Sequence, residues 1–235
     1  ALVSTPLNVI IGYAAGKAST TGAFNVIIGA EAVKTGVLTG NNNVVIGKDA
    51  GANLTSAADN ICIGFESASD LTTGADNIFI GKSAGNSHDT EGNNIGIGNN
   101  ALTGAINGGE FNVAIGNDVL DALTSGDSNN ALGYQALSAC TTGALNNAFG
   151  DRALTAVVGG EKNTAIGQQA GFGITSGGNN IMIGFDSGRS SSPSGNVTTA
   201  SNQVCLGDDN ITALFCADTS ISSSDKRDKT DIENF

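Results

Sequence analysis

A short motif that recurs along nearly the whole chain most constrains what this sequence can fold into. An Asn or Gln, three mostly apolar residues and a Gly recur twelve times between residues 8 and 207. Successive glycines lie 17 or 18 residues apart, apart from a last interval of 23. Such a register is typical of solenoids, in which each repeat forms one coil stacked on the next. The copies begin at Asn8, Asn25, Asn43, Asn60, Asn77, Asn94, Asn112, Asn129, Asn146, Asn163, Asn180 and Gln203.

Each repeat has a regular internal anatomy. The residue before the Gly is Ile, Leu or Phe in all twelve copies, which is typical of a short buried strand. A small residue, usually Ala, follows three positions after the Gly, and Thr/Ser-x-Gly follows about ten positions after it in several copies, as in Thr72–Gly74. Glycines at these points permit the positive φ angles or close backbone contacts of sharp corners. We therefore predict an all-β parallel β-roll or β-solenoid of about twelve 17-residue coils, stacked at about 4.8 Å.

The repeated Asn admits two interpretations. A column of side-chain amides could bind a ligand. Alternatively, the amides could hydrogen-bond from one coil to the next and satisfy the backbone at the corners. We favour the second interpretation, which assigns the column to structure rather than to chemistry.

The predicted strands are apolar on both faces. In the second copy we expect Val26 and Ile28 to point into the coil and Ile27 to point away from it. Strands that are apolar on both faces are buried on both faces, and the sequence contains no long helix that could cover the second one. Identical chains would supply the cover by symmetry, so we predict a homo-oligomer. The between position holds Ile, Val, Cys, Phe or Met in seven copies, at Ile10, Ile27, Val45, Cys62, Phe79, Met182 and Cys205.

The pattern shifts in the later copies. Asn130, Asn147 and Thr164 stand where Val or Ile stood, and the between positions hold Ala. These polar layers could set the register between chains, or hold water or an ion at an axis. We favour the remaining interpretation, a stretch that faces solvent.

Composition excludes several classes of function. The net charge of −12 argues against a nucleic-acid partner, because phosphate binding needs clustered Lys and Arg. The four cysteines form no CxxC pair and are expected to be buried free thiols, and His88 is the only histidine. We predict no metal site and no cofactor. No apolar run reaches the roughly 18 residues of a membrane span, so we predict no membrane insertion.

Two stretches carry a resemblance to known families. Asn163–Ala170, "NTAIGQQA", and Gly133–Leu137 followed by Thr141–Gly143 resemble the head repeats of trimeric autotransporter adhesins. They are even more similar to the "NTAIGxxAL…TTG" repeats of phage tail-fibre proteins. The resemblance covers nearly all of residues 8–207. It implies a trimeric, left-handed parallel β-roll.

The charged end of the chain carries a second resemblance. Ser-Asp-x-Arg-x-Lys-x-x-Ile resembles the start of the intramolecular chaperone domain that ends many phage tail fibres and tailspikes. That family trimerises its passenger and then cuts itself off. The resemblance implies that Ser224 is the nucleophile, that Lys229 is its general base, and that the cut falls between Ser223 and Ser224. A solvated charged tail is the alternative. The matching residues are Ser224, Asp225, Arg227, Lys229 and Ile232.

These observations predict a domain organisation and a function. We expect a repeat β-roll over 1–188, an insertion or hinge over 189–201, a last coil and connector strand over 202–223, and an incomplete chaperone domain over 224–235. The expected function is that of a structural and adhesive segment of a phage tail fibre. It would form a homotrimeric rod on the extracellular virion and bind a host surface receptor, either glycan or protein. The repeat body would not be an enzyme. The alternative is the head domain of a trimeric autotransporter adhesin on a bacterial surface.

Overall fold

A computed structural model describes residues 7–213, which form twelve β-strands of three residues each. Each strand coincides with one apolar triplet of the repeat. The strands are β1 Val9–Ile11, β2 Val26–Ile28, β3 Val44–Ile46, β4 Ile61–Ile63, β5 Ile78–Ile80, β6 Ile95–Ile97, β7 Val113–Ile115, β8 Asn130–Leu132, β9 Asn147–Phe149, β10 Thr164–Ile166, β11 Ile181–Ile183 and β12 Val204–Leu206.

All twelve strands belong to one parallel sheet, in which they follow one another in sequence order. Each residue pairs with its equivalent in the next repeat, as Val9 does with Val26. Within residues 7–213 there is no helix. The predicted all-β parallel solenoid is therefore confirmed. Eleven steps of about 4.8 Å make the sheet roughly 50 Å long.

The Gly that ends each triplet turns the chain where two coils lie closest. Gly116 has φ +132°, a conformation that side chains rarely adopt, and a β-carbon there would lie 2.8 Å from the carbonyl oxygen of Gly133. The same conflict with the next coil recurs along this column. Only glycine satisfies both the dihedral angle and the close approach. This explains why the position holds Gly in every copy.

From β2 to β12 the middle residue of each strand lies in the interior of the coil, which corrects the prediction that the first and third residues point inward. Ile27 is completely buried, whereas Val26 and Ile28 on either side of it are partly exposed. The same pattern holds from β2 to β7. The physical reason lies just before the strand, where Asn25 is buried too. Side chains alternate between faces with a period of two, so an inward Asn25 places Ile27 inward and its neighbours outward.

The middle residues differ in size, and adjacent coils compensate for one another. Phe79 fills the coil at β5, and its neighbour on β6 is Gly96, where a β-carbon would lie only 3.0 Å from the Phe79 ring. From β7 to β10 the middle residue is always Ala. Buried leucines from the second half of the coil complete those layers, among them Leu120, Leu137 and Leu154. The interior is therefore a narrow column of complementary side chains.

Residues 189–201 lie between β11 and β12 and lengthen the last interval between repeats. Val197 returns to the core and is 5% exposed, and its amide donates to the carbonyl oxygen of Gly188 at 2.8 Å. The division into a hinge and a last coil stays a prediction. The connector beyond residue 213 and the predicted chaperone start at 224–235 lie outside the described residues.

Candidate functional site

The side of the sheet that points away from the coil is the most distinctive surface of the described residues. We call it the outer face, and it consists of the first and third residue of every strand. Of these positions, three are polar, none is charged, and all others are Val, Ile, Leu or Phe. The chain as a whole carries a net charge of −12. Charge is therefore excluded from this face along its whole length.

The outer face is about as large as the largest apolar patch that a typical monomer exposes. A strip roughly 50 Å long and about 10 Å wide covers on the order of 500 Å² in flat outline. The largest apolar patch on a typical monomer is about 300–600 Å² in accessible area, and such patches are often functional. Single side chains on this strip remain well exposed, such as Phe149 at 40% and Ile166 at 46%. An apolar strip of this size is a candidate interaction surface.

A polar band interrupts the outer face at β8, β9 and β10. Asn130, Asn147 and Thr164 lie in register as neighbouring first positions of these strands. The amide Nδ2 of Asn130 donates to Oδ1 of Asn147 at 3.0 Å. All three side chains belong to partly buried residues that point outward, beside the exposed Leu132 and Phe149. The band therefore lies within the apolar strip.

The asparagine column on the opposite side of the strands is buried and internally satisfied. Oδ1 of Asn112 accepts from the backbone amide of Asn129 at 3.0 Å and from its Nδ2 at 3.1 Å. Nδ2 of Asn112 donates to the carbonyl oxygen of Gly126 at 2.9 Å. The arrangement repeats from coil to coil. The interpretation as a structural ladder of amides is confirmed, since the buried amides from Asn25 to Asn180 bond to one another and to the backbone.

A shallow polar groove lies on another side of the coil, lined by Asn53, Glu66 and Asp70 beside an ion pair. Nζ of Lys34 lies 2.6 Å from Asp49 and donates a hydrogen bond to it, which lowers the pKa of Asp49 and raises the pKa of Lys34. The Lys34 and Asp49 charges in this groove are therefore paired with each other.

The described cysteines are free and buried, as predicted. Burial raises the pKa of Cys62 to about 12 and that of Cys140 to about 11, so neither thiol is reactive at neutral pH. Burial acts in the same direction on Cys205. There, however, hydroxyl groups that include those of Ser192 and Ser194 outweigh it and lower the pKa. Cys216 lies outside the described residues.

The residues predicted to carry out self-cleavage, Ser224 and Lys229, lie outside the described residues, as does the Ser223–Ser224 bond. Residues 7–213 contain no group of His, Cys, Asp and Glu side chains that could hold a metal ion. In the same range, no helix is long and apolar enough to cross a membrane. His88 lies in the coil interior, where neither imidazole nitrogen has a hydrogen-bond partner among the described residues.

The described residues thus define a parallel β-solenoid repeat protein with one uncharged, apolar side. Neither a protein-family model, nor a curated protein, nor a solved structure matches the chain. Sequence reasoning expected a covered apolar surface but assigned it to the wrong residues of each strand. The signal that identifies the right ones is the buried Asn two positions before the middle residue.

Proposed function

We propose that this chain is a structural and adhesive segment of a phage tail fibre, in which three copies assemble into a rod through the outer face. The observation that carries the proposal is an uncharged strip along all twelve strands that is apolar at all but three positions. Burying apolar surface drives association at about 25 cal/mol per Å². A strip of this length offers neighbouring copies an apolar contact along most of the solenoid.

The shape of the strip supports a partner of the same kind. Its side chains repeat at the spacing of neighbouring strands, about 4.8 Å. A partner must present an equally long apolar strip with the same spacing, and a second copy does so by construction. Rotational symmetry then closes the assembly without leaving an exposed strip. The number three comes from the resemblance to trimeric adhesin heads and tail fibres.

The distribution of charge suits a rod that stays dispersed. The acidic residues lie at corners and along the other sides of the coil, as Glu66 and Asp70 do in the polar groove. In a trimer these sides face outward. The resulting like charge keeps separate rods apart in solution.

An adhesive role is supported by the aromatic residues next to the corner glycines. Tyr13, Phe65, Tyr134 and Phe185 each follow such a Gly and are exposed. Aromatic rings offer an apolar face, and Tyr adds a hydroxyl group, which suits both glycan and protein receptors. The guanidinium of Arg152 lies 5.7 Å from the centre of the Tyr134 ring.

The self-cleavage chemistry belongs to the same proposal and rests on resemblance alone. Ser224 and Lys229 would act once, after trimerisation, together with the rest of a chaperone domain. The repeat body itself would do no chemistry. The alternative function is that of the head of a bacterial trimeric autotransporter adhesin. It rests on the same repeat, but it does not account for the motif that starts at Ser224.

Two measurements test the proposal. Analytical ultracentrifugation should give a mass three times the 23.3 kDa of the chain, and a stable monomer would reject the assembly. Labelled rods should bind bacterial cells and be displaced by unlabelled rods. The coding sequence after Phe235 separates the two functions. A helical, Lys-rich chaperone domain there supports the fibre, whereas heptad repeats and a membrane anchor support the adhesin.

A further inference from the structure

The polar band occupies an off-centre position on the outer face. It lies on β8, β9 and β10, with seven apolar strands on one side of it and two on the other. Reversing the chain direction, or sliding one copy along another, therefore moves the band away from its equivalent. An interface with such an interruption distinguishes between alignments that a uniform apolar strip would accept equally.

The band also has hydrogen-bonding capacity that its own chain does not use. Asn130 donates to Asn147. Within residues 7–213, neither the Nδ2 group of Asn147 nor the hydroxyl of Thr164 has a hydrogen-bond partner. Covering these groups with apolar side chains would cost free energy, because their bonds to water would be lost without replacement. Covering them with amides and hydroxyls of a facing copy would satisfy them.

We infer that the band of Asn130, Asn147 and Thr164 aligns copies of this chain in parallel and in register. The inference rests on the proposed homo-oligomer but not on the phage assignment. In the parallel, in-register arrangement each polar layer meets the same layer of its neighbours. The band is then a specificity element within an interface whose affinity comes from the apolar strands.

The competing alignments are penalised by the same residues. In an antiparallel arrangement with full overlap, β8, β9 and β10 face β5, β4 and β3, whose outer residues are all Val or Ile. Three polar side chains of each copy are then buried against apolar surface. A slip by one coil leaves one polar layer of each copy facing Val113 or Ile181. The antiparallel arrangement is thus excluded more strongly than the slip.

Cross-linking between copies tests the inference directly. The test chain carries Ile28→Cys on β2 and Ile183→Cys on β11, both on the outer face, together with Cys216→Ser. In a parallel, in-register assembly the two engineered thiols are about 43 Å apart, nine strand spacings, so a short bismaleimide joins only like positions. In an antiparallel assembly residue 28 of one copy lies opposite residue 183 of the other. Mass spectrometry of cross-linked peptides distinguishes these products.

The comparison is between the intact band and a chain that also carries Asn130→Val, Asn147→Val and Thr164→Val. With the band intact we expect only 28–28 and 183–183 products. Without it, 28–183 products should rise from undetected to an amount comparable with the like pairs. A control chain with Ile61→Val, Ile78→Val and Ile95→Val changes three outer-face residues without changing polarity. This control chain should give only 28–28 and 183–183 products.

The outcomes separate this inference from the proposed assembly. Two results would overturn the inference: 28–183 products from oligomers with the intact band, or only 28–28 and 183–183 products from oligomers without it. Neither result would contradict the proposed homo-oligomer. Ultracentrifugation that finds only monomers of every chain would overturn both. Like pairs with the intact band and mixed pairs without it support both.

Discussion

The imidazole of His88 packs against the ring of Phe79 inside the solenoid, with ring centroids 4.7 Å apart and planes inclined by 59°. His88 occupies the interior position held by Leu71 one coil earlier, seven residues after the corner Gly. Neither imidazole nitrogen has a hydrogen-bond partner among the described residues. A titratable side chain therefore occupies an interior position that holds Leu in the preceding coil.

This arrangement predicts a loss of stability in mild acid. Burial lowers the pKa of His88 to about 4, although the nearby Glu91 carboxylate acts in the opposite direction. With a folded pKa below the unfolded value of about 6.5, the unfolded chain binds the proton first. The contribution of His88 is fully present above pH 6.5 and falls as the pH drops toward 4, by roughly 3 kcal/mol in total. Urea unfolding at pH 7 and pH 5 measures it.

A leucine substitution serves as the control for this prediction. His88→Leu should be more stable than wild type and should lose most of the difference between pH 7 and pH 5. Leu71→His should gain such a difference. Burial acts to raise the pKa of Glu91, but backbone hydrogen bonds outweigh it and lower the pKa; this contribution is common to wild type and His88→Leu and cancels in their comparison. Equal pH dependence in wild type and His88→Leu would contradict the account.

The close approach at the corners predicts a severe effect of a single methyl group. At Gly116, alanine would meet both an unfavourable φ of +132° and the carbonyl oxygen of Gly133. We expect Gly116→Ala to cost more than about 2 kcal/mol of unfolding free energy. Gly108 is the matched control, because its φ is +103° but nothing lies within 4 Å of a β-carbon there. If the two alanine variants unfold at the same urea concentration, the clash with the neighbouring coil does not matter.

The features that follow from the repeat period were predictable, and the ones that depend on a single coil were not. The period places every strand and every corner Gly, and it implies the amide ladder. It does not say which face of a three-residue strand points inward, because Val26, Ile27 and Ile28 are all apolar. The inward Asn25 decides it, through the alternation of side chains. His88 holds the position in the repeat that Leu71 holds one coil earlier, so aligning the copies was the signal that could have indicated its burial.

The amide ladder predicts that replacing an Asn in its middle lowers the free energy of unfolding more than replacing the Asn at its start. Asn129 accepts from the backbone amide and the side chain of Asn146 and donates to the carbonyl oxygen of Gly143 at 2.8 Å. Asn129→Ala leaves these buried groups unpaired and should cost roughly 2–5 kcal/mol. Asn8, the first residue of the ladder, is only partly buried and makes fewer such bonds. Asn8→Ala should cost less, and equal losses in thermal unfolding would contradict a continuous ladder.

The two faces of β2 predict opposite outcomes for neighbouring substitutions. Ile28 lies on the outer face, so Ile28→Asp should leave the coil folded and weaken assembly by several kcal/mol, because it places a charge in the proposed interface. Ile27 lies in the coil interior, so Ile27→Asp should unfold the local coils instead. Circular dichroism reports folding and ultracentrifugation reports assembly. A trimer that survives Ile28→Asp would place the interface elsewhere.

The last prediction concerns the charged cluster that begins at Ser224. If the chain is part of a fibre precursor that continues past Phe235, the precursor should split between Ser223 and Ser224 after it has trimerised. Ser224→Ala and Lys229→Ala should each block the split and leave the trimer intact, because the nucleophile and the base act after assembly. Lys226→Ala, which changes a neighbouring lysine outside the motif, should cleave normally. Mass spectrometry of the trimeric product measures the split. An uncut Ser223–Ser224 bond in correctly trimerised wild type would end the self-cleavage proposal, while the solenoid and its outer face would be unaffected.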